Sequence, residues 1–151
     1  MSVLGDQIDR LEVFLPAIEA GMTVQPRYEC KVDPAALPTW VIVPLPARRE
    51  RRDARSVITI RDFALTLLVS AICDDKPETA HIGREACYPY IDLVIAHFVQ
   101  NRYLEYDDTG LPGVIDSTVP GDASGQLTSW GGDTFAGVQF RLSITTIEEY
   151  S

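Results

Sequence analysis

Between Phe63 and Ile72 apolar residues occupy both parities: Phe63, Leu65, Leu67, Val69 and Ala71 alternate with Ala64, Thr66, Leu68, Ser70 and Ile72. A period of two with apolar side chains on both sides predicts a strand covered over most of both faces. The β-branched Val57, Ile58, Thr59, Ile60, Thr66, Val69 and Ile72 favour the pleated state over the alternative, a buried helix. The stretch Ser56–Cys73 therefore reads as the central strand. Arg61 and Asp62 interrupt it where the apolar phase changes, which predicts a bulge or bend at that point.

Elsewhere the patterns are local and mixed. In residues 3–21, Ile8, Leu11, Phe14 or Leu15, and Ile18 recur at helical spacing, with Asp6 as a candidate cap and Gly21 as a candidate C-terminal stop. Pro16 predicts a kink or break there. Residues 22–39 carry Pro26, Pro34 and Pro38 and read as an irregular crossing with room for a short strand near Arg27–Val32. Trp40–Val43 is a short apolar strand stopped by Pro44 and Pro46, and Ala47–Arg55 is a charged, projecting connection into the central strand. Residues 74–80 read as a turn. A second helix follows from about Arg84 to Arg102, with Cys87, Ile91, Val94, Ile95 and Phe98 as its core stripe, widened by Tyr90, Leu93 and Val99, and Pro89 in its first turn. Leu104–Asp133 is glycine-rich and loop-like, with short strands placed at Gly113–Thr118 and Gly125–Trp130. Gly137–Ile147 alternates cleanly, Val138, Phe140, Leu142 and Ile144 inward and Gln139, Arg141, Ser143 and Thr145 outward, as a half-buried strand does. The expected architecture is α+β: a mainly antiparallel sheet with two helices packed against it, one domain over residues 1–151, with flexible loops at about 47–55 and 119–134.

Charge changes this picture at one place. The chain carries a net charge of −9, yet residues 48–61 hold 6 arginines against Glu50 and Asp53. Residues 62–151 hold 14 acidic against 4 basic groups. An acidic body argues against a dedicated nucleic-acid binder, since phosphate neutralisation supplies most of such affinity. No apolar run reaches a membrane span, the acidic N-terminus is not of signal-peptide type, and the scattered Cys30, Cys73 and Cys87 read as buried thiols of a reducing cytosol.

Candidate chemistry is sparse. His81 and His97 are the only histidines, and His97 reads as a residue at the boundary of the helix stripe. No metal-type spacing of His, Cys or Glu occurs, so no metal or cofactor is expected. Asp108-Thr109-Gly110 matches the aspartic-protease tripeptide, but an acidic turn precedes it in place of an apolar strand. The glycine-rich Pro120–Gly132 lacks the Lys-Ser/Thr of a phosphate loop, and Ser124 and Ser129 have no partnered histidine pattern. The cluster Arg48, Arg49, Arg51, Arg52 and Arg55 leaves three readings: a solvated loop, docking onto an acidic protein surface including a neighbouring copy, or nucleic-acid contact without an aromatic stacking platform.

The amphipathic N-terminal helix, the proline-bounded WVIVPLP, the charged RRERRDAR, the long strand, the helix ending FVQNRYL and the closing FAGVQFRLSITTIEEY are similar to the tail terminator proteins of long-tailed bacteriophages, which complete the tail and join it to the head. The closing segment, an aromatic-Ala-Gly lead into an alternating strand, carries most of the likeness. The resemblance spans nearly the whole chain in architecture, with Leu104–Asp133 and Val24–Pro38 as departures, and implies a tail-terminator-like sandwich and a non-enzymatic virion protein without cofactors. Such a protein assembles in the host cytoplasm into a homo-oligomeric ring, usually a hexamer, on the head-proximal end of the tail tube. Its partners are then its own copies, the tail tube protein, and a neck, head-completion or connector protein. DNA passes through the ring without specific binding, and no membrane is involved. Two other classes remain: another neck adaptor or tube-type protein, and a small-molecule-binding or enzymatic α+β domain. A ring of fixed copy number separates the first from the second.

Overall fold

The computed structural model describes residues 3–25, 31–73, 76–101, 114–117, 121–130 and 132–149, with 114–117 and 121–130 as backbone only. The fold is α+β: among the described residues there are two α-helices, α1 (Val3–Phe14) and α2 (Pro77–Gln100), and seven strands. The strands are β1 (Thr23–Val24), β2 (Thr39–Pro44), β3 (Arg48–Arg51), β4 (Ser56–Ile72), β5 (Val114–Ser117), β6 (Gly121–Trp130) and β7 (Asp133–Glu149). They form one sheet in the order β1-β2-β4-β7-β5, with β3 pairing β4 and β6 pairing β7. β1 joins β2 in parallel; every other pairing is antiparallel.

β4 is the central strand, hydrogen-bonded to β2 and β3 on one side and to β7 on the other. Both helices lie on one face of the sheet. There Leu11, Phe14 and Leu15 of α1 and Cys87, Val94 and Phe98 of α2 join Trp40, Phe63, Leu65, Leu67, Val138, Phe140, Leu142 and Ile144 in one buried cluster. A smaller cluster on the opposite face gathers Val32, Val41, Leu68 and Phe135. Gly83 brings α2 down onto the sheet: a Cβ at that position would stand 2.9 Å from Ala136 Cβ and from Ile72 Cδ1.

The break at Pro16 is where the missing N–H requires it. α1 ends at Phe14, and a 3-10 turn over Pro16–Ile18 follows. Asp6 lies within the first turn of α1, not at its cap, and Gly21 follows the 3-10 turn instead of α1. The crossing at 22–39 contains β1 at Thr23–Val24; of the strand expected near Arg27–Val32, residues 27–30 lie outside the described residues and Lys31 and Val32 are not strand.

The structure corrects the sequence reading at five places. The register of β4 against β7 runs unbroken through Arg61 and Asp62, and the shift falls instead between Leu68 and Ser70. Arg61 keeps the inward phase of Phe63, and the extra residue near Val69 inverts the phase beyond it, so Ile72 packs with the main cluster and Ala71 with the smaller one. The connection at 47–55 is no flexible loop, because Arg48–Arg51 is a strand paired with Val57–Ile60. The loop expected at about 119–134 is mostly strand: β6 pairs along β7 as a hairpin closing at Trp130 opposite Asp133, where Gly132 adopts the left-handed φ of +88° that such a tight turn uses. α2 begins at Pro77, so residues 77–80 are helix and Pro89 is interior. Pro77 at the start and Glu78 in the first turn are the local signals of that earlier start. Finally, Leu93 and Val99, expected to widen the buried stripe of α2, are 42% and 60% exposed.

Candidate functional site

The arginine cluster sits on a hairpin at one end of the sheet. β2 and β3 run along the same side of β4, bridged by the Leu45 amide donating to the Asp62 carbonyl at 2.9 Å. Residues 39–51 thus flank one side of β4 with an interruption at Leu45-Pro46-Ala47, and β1 covers them only at Thr39 and Trp40. The turn from β3 into β4 is held by Asp53. Its Oδ1 accepts from the amides of Arg55 at 2.8 Å and Ser56 at 2.9 Å. These amide bonds, the one from Arg55 first, hold the Asp53 carboxyl below its ordinary value. The amides of Arg52 and Asp53 close the turn onto the Ser56 carbonyl.

All five arginines are exposed. Directly opposed residues of a ladder share a face, so Arg49 and Arg51, opposite Thr59 and Val57, project on the helix side. Arg48, opposite Ile60, projects on the far side, where its guanidinium stands 3.6 Å from Asp62, itself the acceptor of the Ser143 hydroxyl at 2.5 Å. Arg49, Arg51, Arg52 and Arg55 form no ion pair among the described residues. Strand pairing thus fixes the spacing of these charges and leaves most of them unneutralised.

Below this hairpin lies a buried polar pair, of which the sequence pattern marks only one member, Arg61, as an interruption of the strand. Arg61 and Glu148 are 7% and 6% exposed and form an ion pair, with the Thr59 hydroxyl donating to the other Glu148 oxygen at 2.9 Å. Its signal in the sequence was parity. Arg61 is in phase with Phe63 and Leu65, and Glu148 is in phase with Leu142 and Ile144.

The remaining candidates separate in space. His81 is exposed and donates to Glu85 at 2.9 Å. His97 is half-buried against Phe14, ring centroids 4.2 Å apart, and burial pushes its imidazole below the ordinary value while the Phe14 backbone offsets part of that. Cys87 is buried on Gly83, its Sγ 3.3 Å from that carbonyl, and burial raises its pKa; Cys73 is exposed. Asp108 and Cys30 lie outside the described residues, and Ser124 and Ser129 lie on the backbone of β6. Among the described residues no group of three or more His, Cys, Asp or Glu could hold a metal ion, and no helix is long and apolar enough to cross a membrane. No protein-family model matches the chain, and no curated protein matches it.

Proposed function

We propose that this chain is a structural virion protein. It closes as a homo-oligomeric ring, of six copies, on the head-proximal end of a phage tail tube, stops tube growth and joins the tube to the neck. The observation that carries this reading is the arginine hairpin: five exposed cations on an ordered strand and turn, attached to a body that is strongly acidic from residue 62 onward. A cationic arm on an anionic body is complementary to its own copies, which favours docking and register over catalysis. The outer edge of β3 carries no strand among the described residues, and its charges, with Pro44 and Pro46 before it, discourage indiscriminate strand addition while leaving the edge open to a specific neighbour. An acidic ring around a DNA path repels phosphate and lets the genome slide.

Native mass spectrometry over a concentration series, repeated with purified tails lacking this protein, tests the proposal. Wild type forms a closed ring alone or on tube ends, where several sites raise the effective concentration. Replacing Arg49, Arg51 and Arg52 by Glu abolishes that assembly and changes stability by no more than about 0.5 kcal/mol, because exposed charges contribute little. A strict monomer that ignores tail ends would sink the ring, and normal assembly of the triple variant would sink the arm's role.

A further inference from the structure

The outer face of α2 carries a second pattern besides the stripe that packs on the sheet. Ile82, Ala86, Pro89, Leu93 and Ala96 follow one another at intervals of four, three, four and three residues, and all five are exposed. That is the spacing of the seam by which a helix meets a partner. Along one flank of it, Glu78, Glu85 and Asp92 recur every seven residues, also exposed. The other flank, Gly83, Tyr90 and His97, turns into the protein's own packing. Ile82 is 67% exposed, and none of the five belongs to the hydrophobic cluster by which α2 packs on the sheet.

The arm has the opposite character. At its root Pro44 and Pro46 are exposed apolar residues, Pro44 opposite Phe63 and so on the same face as Arg49 and Arg51, whose aliphatic stems can lie on apolar surface with the guanidinium groups beyond it. The lengths agree: Pro44–Arg51 covers about 23 Å at strand rise, and Ile82–Ala96 covers about 21 Å at helix rise. The arm lies along the β2–β3 edge, whereas α2 lies over β4, β7 and β6, toward the other side of the sheet. Two different surfaces that match each other make a head-to-tail contact, the kind that closes into a ring.

We infer that the outward seam of α2, rimmed by Glu78, Glu85 and Asp92, is the surface on which the arginine arm of a second copy of this chain docks. The apolar residues of the arm root cover the Ile82–Leu93 seam, and the arm's arginines meet the acidic rim. This inference rests on the ring reading and names the surface that reading requires.

Charge exchange in the full chain tests it, read by native mass spectrometry with and without tail tubes lacking the protein, with thermal melts to establish folding. Arg49→Glu with Arg51→Glu, and separately Glu85→Lys with Asp92→Lys, each weaken association by at least about tenfold. All four substitutions in one chain restore it, because the signs are exchanged and the match is kept. Leu93→Asp weakens it with no exchange of sign at the rim. Should the arm variant fail to assemble while the Glu85→Lys/Asp92→Lys and Leu93→Asp variants assemble as wild type, the arm docks elsewhere; the inference falls and the ring stands. A wild type that is monomeric throughout overturns both.

Discussion

The two halves of the β4–β7 ladder share one unbroken register from Ser56 to Leu68, and their inward positions could hardly differ more. In one half Phe63, Leu65 and Leu67 face the helices beside Val138, Phe140 and Leu142, all fully buried. In the other, beyond Ile144, the inward positions are Thr59, Arg61, Thr146 and Glu148, with the half-buried Val57 the one apolar residue among them. The first half gains from removing apolar surface from water, at roughly 25 cal/mol per Å². The second gains little of that, since desolvating two charges offsets most of their attraction. What it contributes is alignment. Arg61 stands opposite Ile144 and Glu148 opposite Val57, so the ion pair is a diagonal one. A two-residue slip that moves Arg61 opposite Leu142 keeps every side chain on its face but separates the pair, which penalises a register that the apolar half would tolerate. The arginine hairpin grows from this polar half, and its direction follows from the alignment below it.

That contrast can be broken from either side. The largest effect belongs to the apolar half. Phe140→Ala removes a ring that is fully buried and packed on Trp40, with centroids 5.8 Å apart, and costs about 4 kcal/mol in urea unfolding. A loss below about 1 kcal/mol would mean that the core lies elsewhere.

Next comes the polar half. Glu148→Ala leaves the Arg61 charge buried without its partner and costs about 3 kcal/mol, while Arg61→Met combined with Glu148→Leu returns to within about 1 kcal/mol of wild type. If the double variant stays as unstable as the single one, the pair stabilises in its own right and the contrast between the halves dissolves.

The smallest effect is a pH dependence on the side of the apolar cluster, where His97 packs against Phe14. Burial against Phe14 holds the His97 imidazole below its ordinary value of 6.5. Below that value the unfolded chain binds more protons than the folded one, so stability falls as pH drops through it and levels off once the folded imidazole is protonated as well. Measured from about pH 8 to about pH 5, wild type loses stability more steeply than His97→Gln. Parallel profiles would assign the acid response to other groups.

Much of this was legible along the chain because it is local. The alternation of Val138, Phe140, Leu142 and Ile144 needs only the two-residue period of a strand, and all four are buried. The end of α1 before Pro16 needs only a missing amide. The arginines of 48–55 announced an exposed, charged feature by their density, and each is exposed. What the chain could not show depends on partners far away in sequence. Arg48–Arg51 is strand because Val57–Ile60 offers it a ladder, although the four side chains have no apolar alternation of their own. Arg61 and Asp62 look like an interruption until Glu148, 87 residues on, supplies a buried carboxylate. The phase of β4 beyond Leu68 was set by a bulge against β7, and the two faces of α2 were told apart only when the sheet covered one of them. Periodicity fixes which residues share a face; which face meets the interior is decided by what packs against it.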